Sequence, residues 1–467
     1  VTAAAEQADA GLPFPRRGWA VGALSLGTGL LVVDNAIATV ALPTVAEALG
    51  VAPSTAVVVV TVYQLVLLMA LLPLSALGDR IGLRRMYQGG QVLFLVGALV
   101  TVTSGSLPHL LAGRTLQALG AAAALSVSSA LLRSVYPASQ LGRGLGLNGV
   151  IIATAATVAP SLGGLILAGG SWRWVFAAAA PFAVLSLLLG AAIPRPAPRG
   201  RRFDLLAAGL CAASFGLLFG GVELIAHHGR PAGGGALLAI GAVVLWSFIR
   251  YERRAPAPIL PVDLLSQARF GLPAATGLIA FTASMAFMIG LPFRLQAAGM
   301  PPEAIGAVLA VWPLAMMASA ALGGLMSDTL PRGVPGALGM ALATAGLALA
   351  AVTPTDAGLA GFAPAMALGG AGYGLFISPN AHLMIGAAPR ERAASMGALV
   401  STSRLMGQTL GATLAAALLA GGLGGTPVIA AVAAVVTALA GAASLANGAA
   451  DRRRAAVASE PIAQDPL

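Results

Sequence analysis

The chain has 467 residues, 58% of them hydrophobic and only 9% charged, with a mean hydropathy of +0.89. A soluble domain carries about 25% charged residues, so the composition excludes a soluble enzyme and indicates an integral membrane protein. The net charge of +10 comes entirely from arginine, and with no lysine there is no phosphate-gripping Walker lysine and hence no ATP-driven pump within this polypeptide.

Fourteen apolar stretches follow one another, each near the ~20 residues a helix needs to cross a bilayer. The first, 18–42, carries Asp34 deep in its apolar run. A carboxylate there costs roughly 2.5–3.5 kcal/mol on insertion scales. Such acids face a protein interior or a water-filled cavity, so Asp34 is the leading candidate for proton or cation binding; the alternative is a buried local cap. The second stretch, 56–77, holds Tyr63 and Gln64. It ends in SALGDRIGLRR (75–85), where Asp79 sits among Arg80, Arg84 and Arg85 around Gly82. Topology alone does not require that acid, which suggests a charge-paired latch with two arrangements. The third stretch is 87–105. The fourth, 108–132, places Arg114 about 9 Å into its helix, with Asp34 the obvious partner; a structural bond to backbone carbonyls is the alternative.

The fifth stretch, 143–169, spaces Gly146, Ala155, Ala159, Pro160, Gly163 and Gly164 along one kinkable, closely packing helix, with Asn148 near its start. Then come 173–193, 204–226 and 233–250. Glu223 near the end of the seventh is either a second substrate-facing acid or an interfacial residue. The remaining stretches are 271–293, 303–326, 335–353, 357–383, 394–420 and 426–447. Asn380 and Gln408 join Tyr63, Gln64 and Asn148 as candidate cavity-lining residues. Arg294 reads as an outer-surface cation that repels other cations. Arg404 reads as a helix-end or gating residue. The four histidines have no acidic neighbours, so no metal site is expected. Cys211 is the single cysteine, which excludes an internal disulfide. Residues Val1 to Pro15 do not read as a cleavable signal.

With the N-terminus inside, loops on the inner side hold 21 arginines and outer loops hold 3. That bias supports fourteen spans with both termini cytoplasmic. A weak repeat relates SALGDRIGLRR to GGLMSDTLPR (323–332), and YPASQLGRGLG (136–146) to APRERAASMG (388–397). The offset of eight helices implies two six-helix halves with a two-helix insert. The expected division is a bundle over 1–195, the insert over 196–256, a second bundle over 257–450 and a cytoplasmic tail over 451–467.

On these motifs the chain resembles the major facilitator superfamily, specifically its 14-helix drug:proton antiporter branch of the QacA, SmvA and YebQ type. DNAIATVALP (34–43) is similar to the branch's first-helix signature, and residues 75–85 to the superfamily's loop motif, with Ser75 and Leu83 as departures. RTLQALGAAAA (114–124) resembles the Arg-x-x-Gln-Gly-x-Gly motif, with Ala118 for the first glycine. The fifth helix follows the antiporter motif with Ala155 and Ala159 replacing glycines. The resemblance implies an all-α major facilitator fold and a proton-coupled exporter of lipophilic, mainly cationic compounds. It assigns coupling to Asp34 and Arg114, and gating to the 75–85 loop. A neutral or endogenous metabolite, or a lipid-like molecule, is the alternative cargo. No catalytic constellation falls within the spans, so an enzyme is not expected. Nor is a cofactor: the proton gradient is the energy source. The partners are the bilayer, protons and small lipophilic molecules, not nucleic acid. A monomer in the bacterial inner membrane is the expected state.

Overall fold

A computed structural model of the chain describes residues 12–136, 141–195, 204–228, 231–254, 267–331, 333–386 and 393–459. Every expected apolar stretch is helical. In chain order the long helices are α1 (Arg16–Leu49), α2 (Val58–Ile81), α3 (Leu83–Val102), α4 (Leu107–Val135), α5 (Leu141–Gly169), α6 (Ala180–Leu189) and α7 (Leu205–His228). They continue as α8 (Pro231–Glu252), α9 (Ala268–Ala297), α10 (Pro302–Thr329), α11 (Val334–Val352), α12 (Gly358–Gly386), α13 (Ala393–Ala420) and α14 (Val428–Ser459). Among the described residues, eleven helical segments are both long and apolar enough to cross a membrane by themselves. The helix termini carry ordinary signals. Gly50, in the left-handed region at φ 63°, ends α1, and Pro302 begins α10 at a position where its missing N–H is harmless. Asp204 accepts the Ala207 N–H at 2.9 Å and so caps α7. That bond holds the Asp204 carboxyl below the usual carboxylate range, and the Tyr251 hydroxyl adds to it.

Two bundles, α1–α6 and α9–α14, build the molecule. In hydrocarbon the lipid is as apolar as the side chains, so close backbone approach does the holding. Gly90 of α3 and Gly120 of α4 face each other so tightly that a methyl on Gly120 would stand 2.5 Å from the Gly90 carbonyl oxygen. Gly339 of α11 and Gly372 of α12 repeat that reciprocal contact eight helices later. The sequence repeat thus corresponds to a repeated packing device. The bundles meet along α5 against α10, α2 against α13, and α1 against α9. An eight-helix offset exchanges the first two contacts and maps the third onto itself. Helix α7 lies on this seam, touching both α2 and α13, and α8 packs on α7. Segments 196–203 and 255–266, expected to flank the insert, lie outside the described residues, as does half of the second loop copy, 388–392 of 388–397.

Candidate functional site

Asp34 on α1 and Arg114 on α4 form a buried ion pair. Arg114 Nη1 donates to Asp34 Oδ2 at 2.7 Å, and the two side chains are 0% and 1% exposed. The same nitrogen donates to Gln117 Oε1 at 3.0 Å, and Gln117 in turn donates to the Phe176 carbonyl at 2.9 Å. The guanidinium carbon stands 4.2 Å from the centre of the Tyr63 ring and 5.3 Å from that of Phe176. A desolvated cation gains about 2 kcal/mol or more over such ring faces. The Tyr63 hydroxyl lies close to the Asp34 carboxylate without the geometry of a formed hydrogen bond. Four elements therefore converge: α1, α2, α4 and the short 3-10 turn Trp172–Ala177 ahead of α6. Protonation of Asp34 removes the charge that Arg114 neutralises, so the pair has two states of different charge.

A cavity of about 560 Å³ lies between the bundles, a size that suits a drug-like molecule. Tyr63, Gln64, Asn380 and Gln408 line it, as their sequence positions suggested. The side chain of Asn148 lies outside the described residues. Asp34 and Arg114 do not line the cavity; they sit one layer behind it, screened by Tyr63, while the next residue, Asn35, is on the wall. Gln64 Nε2 donates to Asn35 Oδ1 at 3.4 Å, linking the cavity wall of α2 to that of α1. Glu223 is half-buried on α7 and is not part of the lining. The apolar wall includes Phe281, Trp312, Met316 and Phe376.

Most of the lining lies in the arginine-rich halves of its helices, including Thr28 of α1 and Val400 of α13, while Tyr63, Gln64 and Leu67 of α2 stand in the other half and close the deep end. The opposite ends are packed shut. A methyl on Gly164 would stand 2.5 Å from the Pro302 carbonyl oxygen, and one on Gly306 would strike the Pro160 carbonyl. At the same end Gln296 Nε2 of α9 donates to Glu47 Oε1 of α1 at 2.6 Å. The molecule therefore faces its arginine-rich side. Helix α5 packs against both bundles. Ala155 lies under Gly29, and Gly163 under Ile37, on the α1 side, while Pro160 and Gly164 meet α10. Gly146 lies within α5, and Ala159 is fully buried.

In the 75–85 segment, α2 passes to α3 through the single residue Gly82, whose φ of 102° favours glycine. Asp79 is half-buried, and Arg80 and Arg85 are exposed. Arg84 Nη1 donates to the Ile193 carbonyl at 3.2 Å, tying this corner to the end of α6. One other arginine departs from its sequence reading, and a second is placed on the cavity wall. Arg294 does not project outward: it is 8% exposed and donates to the carbonyls of Ala350 and Thr353 at 2.7 and 2.8 Å. It thereby satisfies the orphan carbonyls ending α11, where a cation also suits the helix dipole. Arg404 lines the cavity itself. Asn35 and Trp312 were not singled out from sequence. Asn35 follows a more conspicuous acid, and Trp312 reads as ordinary membrane-helix composition.

A family model described as Major Facilitator Superfamily matches residues 24–412. The chain belongs to the major facilitator superfamily. It is 40% identical over 410 residues to the uncharacterized transporter YebQ of Escherichia coli strain K12, covering 87% of this chain and 90% of that protein. It is 28% identical over 400 residues to the multidrug resistance protein Stp of Mycobacterium tuberculosis, covering 83% of this chain and 73% of that one. Among solved structures, a peptide transporter POT in complex with sulfate superposes with a TM-score of 0.69 at 15% identity, over 95% of this chain and 98% of that one. At that identity the likeness establishes the fold alone. As a family member this chain is a multi-pass membrane transporter.

Proposed function

We propose that the chain is a proton-coupled exporter of lipophilic small molecules, working by alternating access in the bacterial cytoplasmic membrane. The observation that carries this reading is the Asp34–Arg114 pair, sealed at 2.7 Å one layer behind a cavity between the two bundles. A proton and Arg114 compete for one carboxylate. When Asp34 is charged, Arg114 ties α4 to α1. When a proton takes Asp34, that tie weakens and Arg114 falls back on Gln117 and the Tyr63 and Phe176 rings. Because Asn35 is the next residue of α1, any shift of α1 reaches the cavity wall directly. Coupling then follows from the different affinities of the two states for cargo. Relatives named for multidrug resistance, such as Stp, and for puromycin resistance support an export role with drug-like cargo. No cofactor takes part, and a monomer suffices.

The expectation of mainly cationic cargo assumed that Asp34 would meet the substrate. In this conformation Arg114 occupies Asp34 and the acid is off the cavity wall, so the pair supports proton coupling without setting the cargo's charge. The alternative of a neutral, endogenous or lipid-like cargo gains support from the apolar and amide lining, and from a relative named as a riboflavin transporter.

The test is made on the full chain in proteoliposomes with an imposed proton gradient, using a panel of lipophilic dyes. Wild type moves dye against its gradient only while the proton gradient persists; Asp34→Asn binds the dye but loses the gradient-driven component. Uphill movement that survives in Asp34→Asn would take coupling away from this pair.

A further inference from the structure

We infer that the central cavity is built to take an amphipathic organic anion, with Arg404 receiving its headgroup. This rests on the reading of the cavity as the transport site and names the class of cargo. Among the described lining residues Arg404 is the one charged side chain; no aspartate or glutamate is on the wall.

The other inward-turned arginines show what this protein does with a guanidinium it means to keep occupied. Arg114 is held by a carboxylate and an amide oxygen. Arg294 is held by the carbonyls that end α11. Arg173, at the closed end, donates to the Ser104 carbonyl and packs on Trp172. Arg404 has no hydrogen bond or ion pair to any described residue, and its side chain is exposed to the cavity. A guanidinium cannot shed its charge, so within the membrane it calls for water or an anion. Its planar fork matches a carboxylate or sulfonate in bidentate fashion.

The surroundings define the rest of the ligand. Gln408 stands one helical turn along α13, and Gln64 and Asn35 face the cavity from the other bundle. They offer neutral hydrogen bonds to the ligand elsewhere along the wall. Phe281, Trp312 and Phe376 supply aromatic surface for an apolar body. A cationic cargo would meet a like charge on the wall and no acid among the described lining residues, with Asp34 behind the wall already held by Arg114.

Three naphthylalkyl probes of one shape test this: a sulfonate, the neutral alcohol and the trimethylammonium compound. Binding is measured by calorimetry on detergent-solubilised full-length protein, and proton-driven movement in proteoliposomes. The expected order of affinity is sulfonate, then alcohol, then ammonium. Arg404→Gln should weaken sulfonate binding by roughly ten-fold or more, the value of a charge-assisted bond. Arg404→Lys should recover most of that loss, and the alcohol should bind both variants like wild type, which controls for folding. Preference for the ammonium probe, or equal sulfonate binding by wild type and Arg404→Gln, would overturn the anion assignment while leaving proton-coupled export intact. Arg404-dependent sulfonate binding without any proton-driven movement would keep the anion site and overturn the export reading.

Discussion

Asp34 and Arg114 show how far one residue's environment decides its role. An isolated acid inside an apolar helix announces a function, and a cation inside another announces a partner. What the pair does depends on which groups surround it. Here Gln117 shares the nitrogen that binds Asp34, and the Tyr63 and Phe176 rings stand beside the guanidinium, so the pair is held in a buried pocket off the cavity wall. Breaking a buried pair by removing one partner costs about 3–5 kcal/mol, because the survivor is left charged and unmatched. Arg114→Met alone should therefore lower thermal stability sharply, and the double variant Arg114→Met with Asp34→Asn should regain most of it. Thermal unfolding in detergent reads both. Additive losses in the double variant would show that the two residues act separately.

At the scale of the element, α5 carries the clearest mechanical assignment. Its small residues are placed on two faces, one against α1 and one against α10, so a single helix joins a helix of its own bundle to the opposite bundle. The contact of Gly164 with Pro302, and of Gly306 with Pro160, closes the arginine-poor end without any side chain between the backbones. Gly164→Leu should wedge that end apart. The expected result is loss of the closed end, read as spin-label distances between α5 and α10 that lengthen relative to wild type, together with reduced transport. An unchanged distance would mean that α5 and α10 do not meet as described. The sequence spacing that marked α5 was legible because small residues recur at fixed intervals. The partner α10 was not legible from α5, since two helices distant in sequence meet only through the fold.

For the whole molecule, the decisive property is asymmetry across the membrane: a cavity open toward the arginine-rich side and packed backbone at the other. Cys211 is buried, so with Cys211→Ser as the background a lone cysteine at position 408 reports access. In that background Gln408→Cys should react with a membrane-impermeant thiol reagent from the arginine-rich side and resist it from the other. Equal reaction from both sides would describe a pore, not a transporter that alternates. Addition of cargo or protons should redistribute that reactivity, as expected for two global states in exchange.

The sequence by itself determined the fourteen helices and the two-fold plan, because apolar length and an eight-helix offset are local or periodic signals that survive without coordinates. It also marked Asp34, Arg114, Gln64, Asn380 and Gln408, since polar groups in hydrocarbon stand out wherever they occur. The tertiary structure alone decided which of them face the cavity. Asp34 reads as the cargo's acid in one dimension, and Arg404 as a helix-end or gating charge. In three dimensions the acid is held by Arg114, and the arginine stands on the cavity wall without a partner among the described residues. The physical reason is that a charge acts through its nearest partner and through its depth, and both are set by helices that lie far apart in the chain.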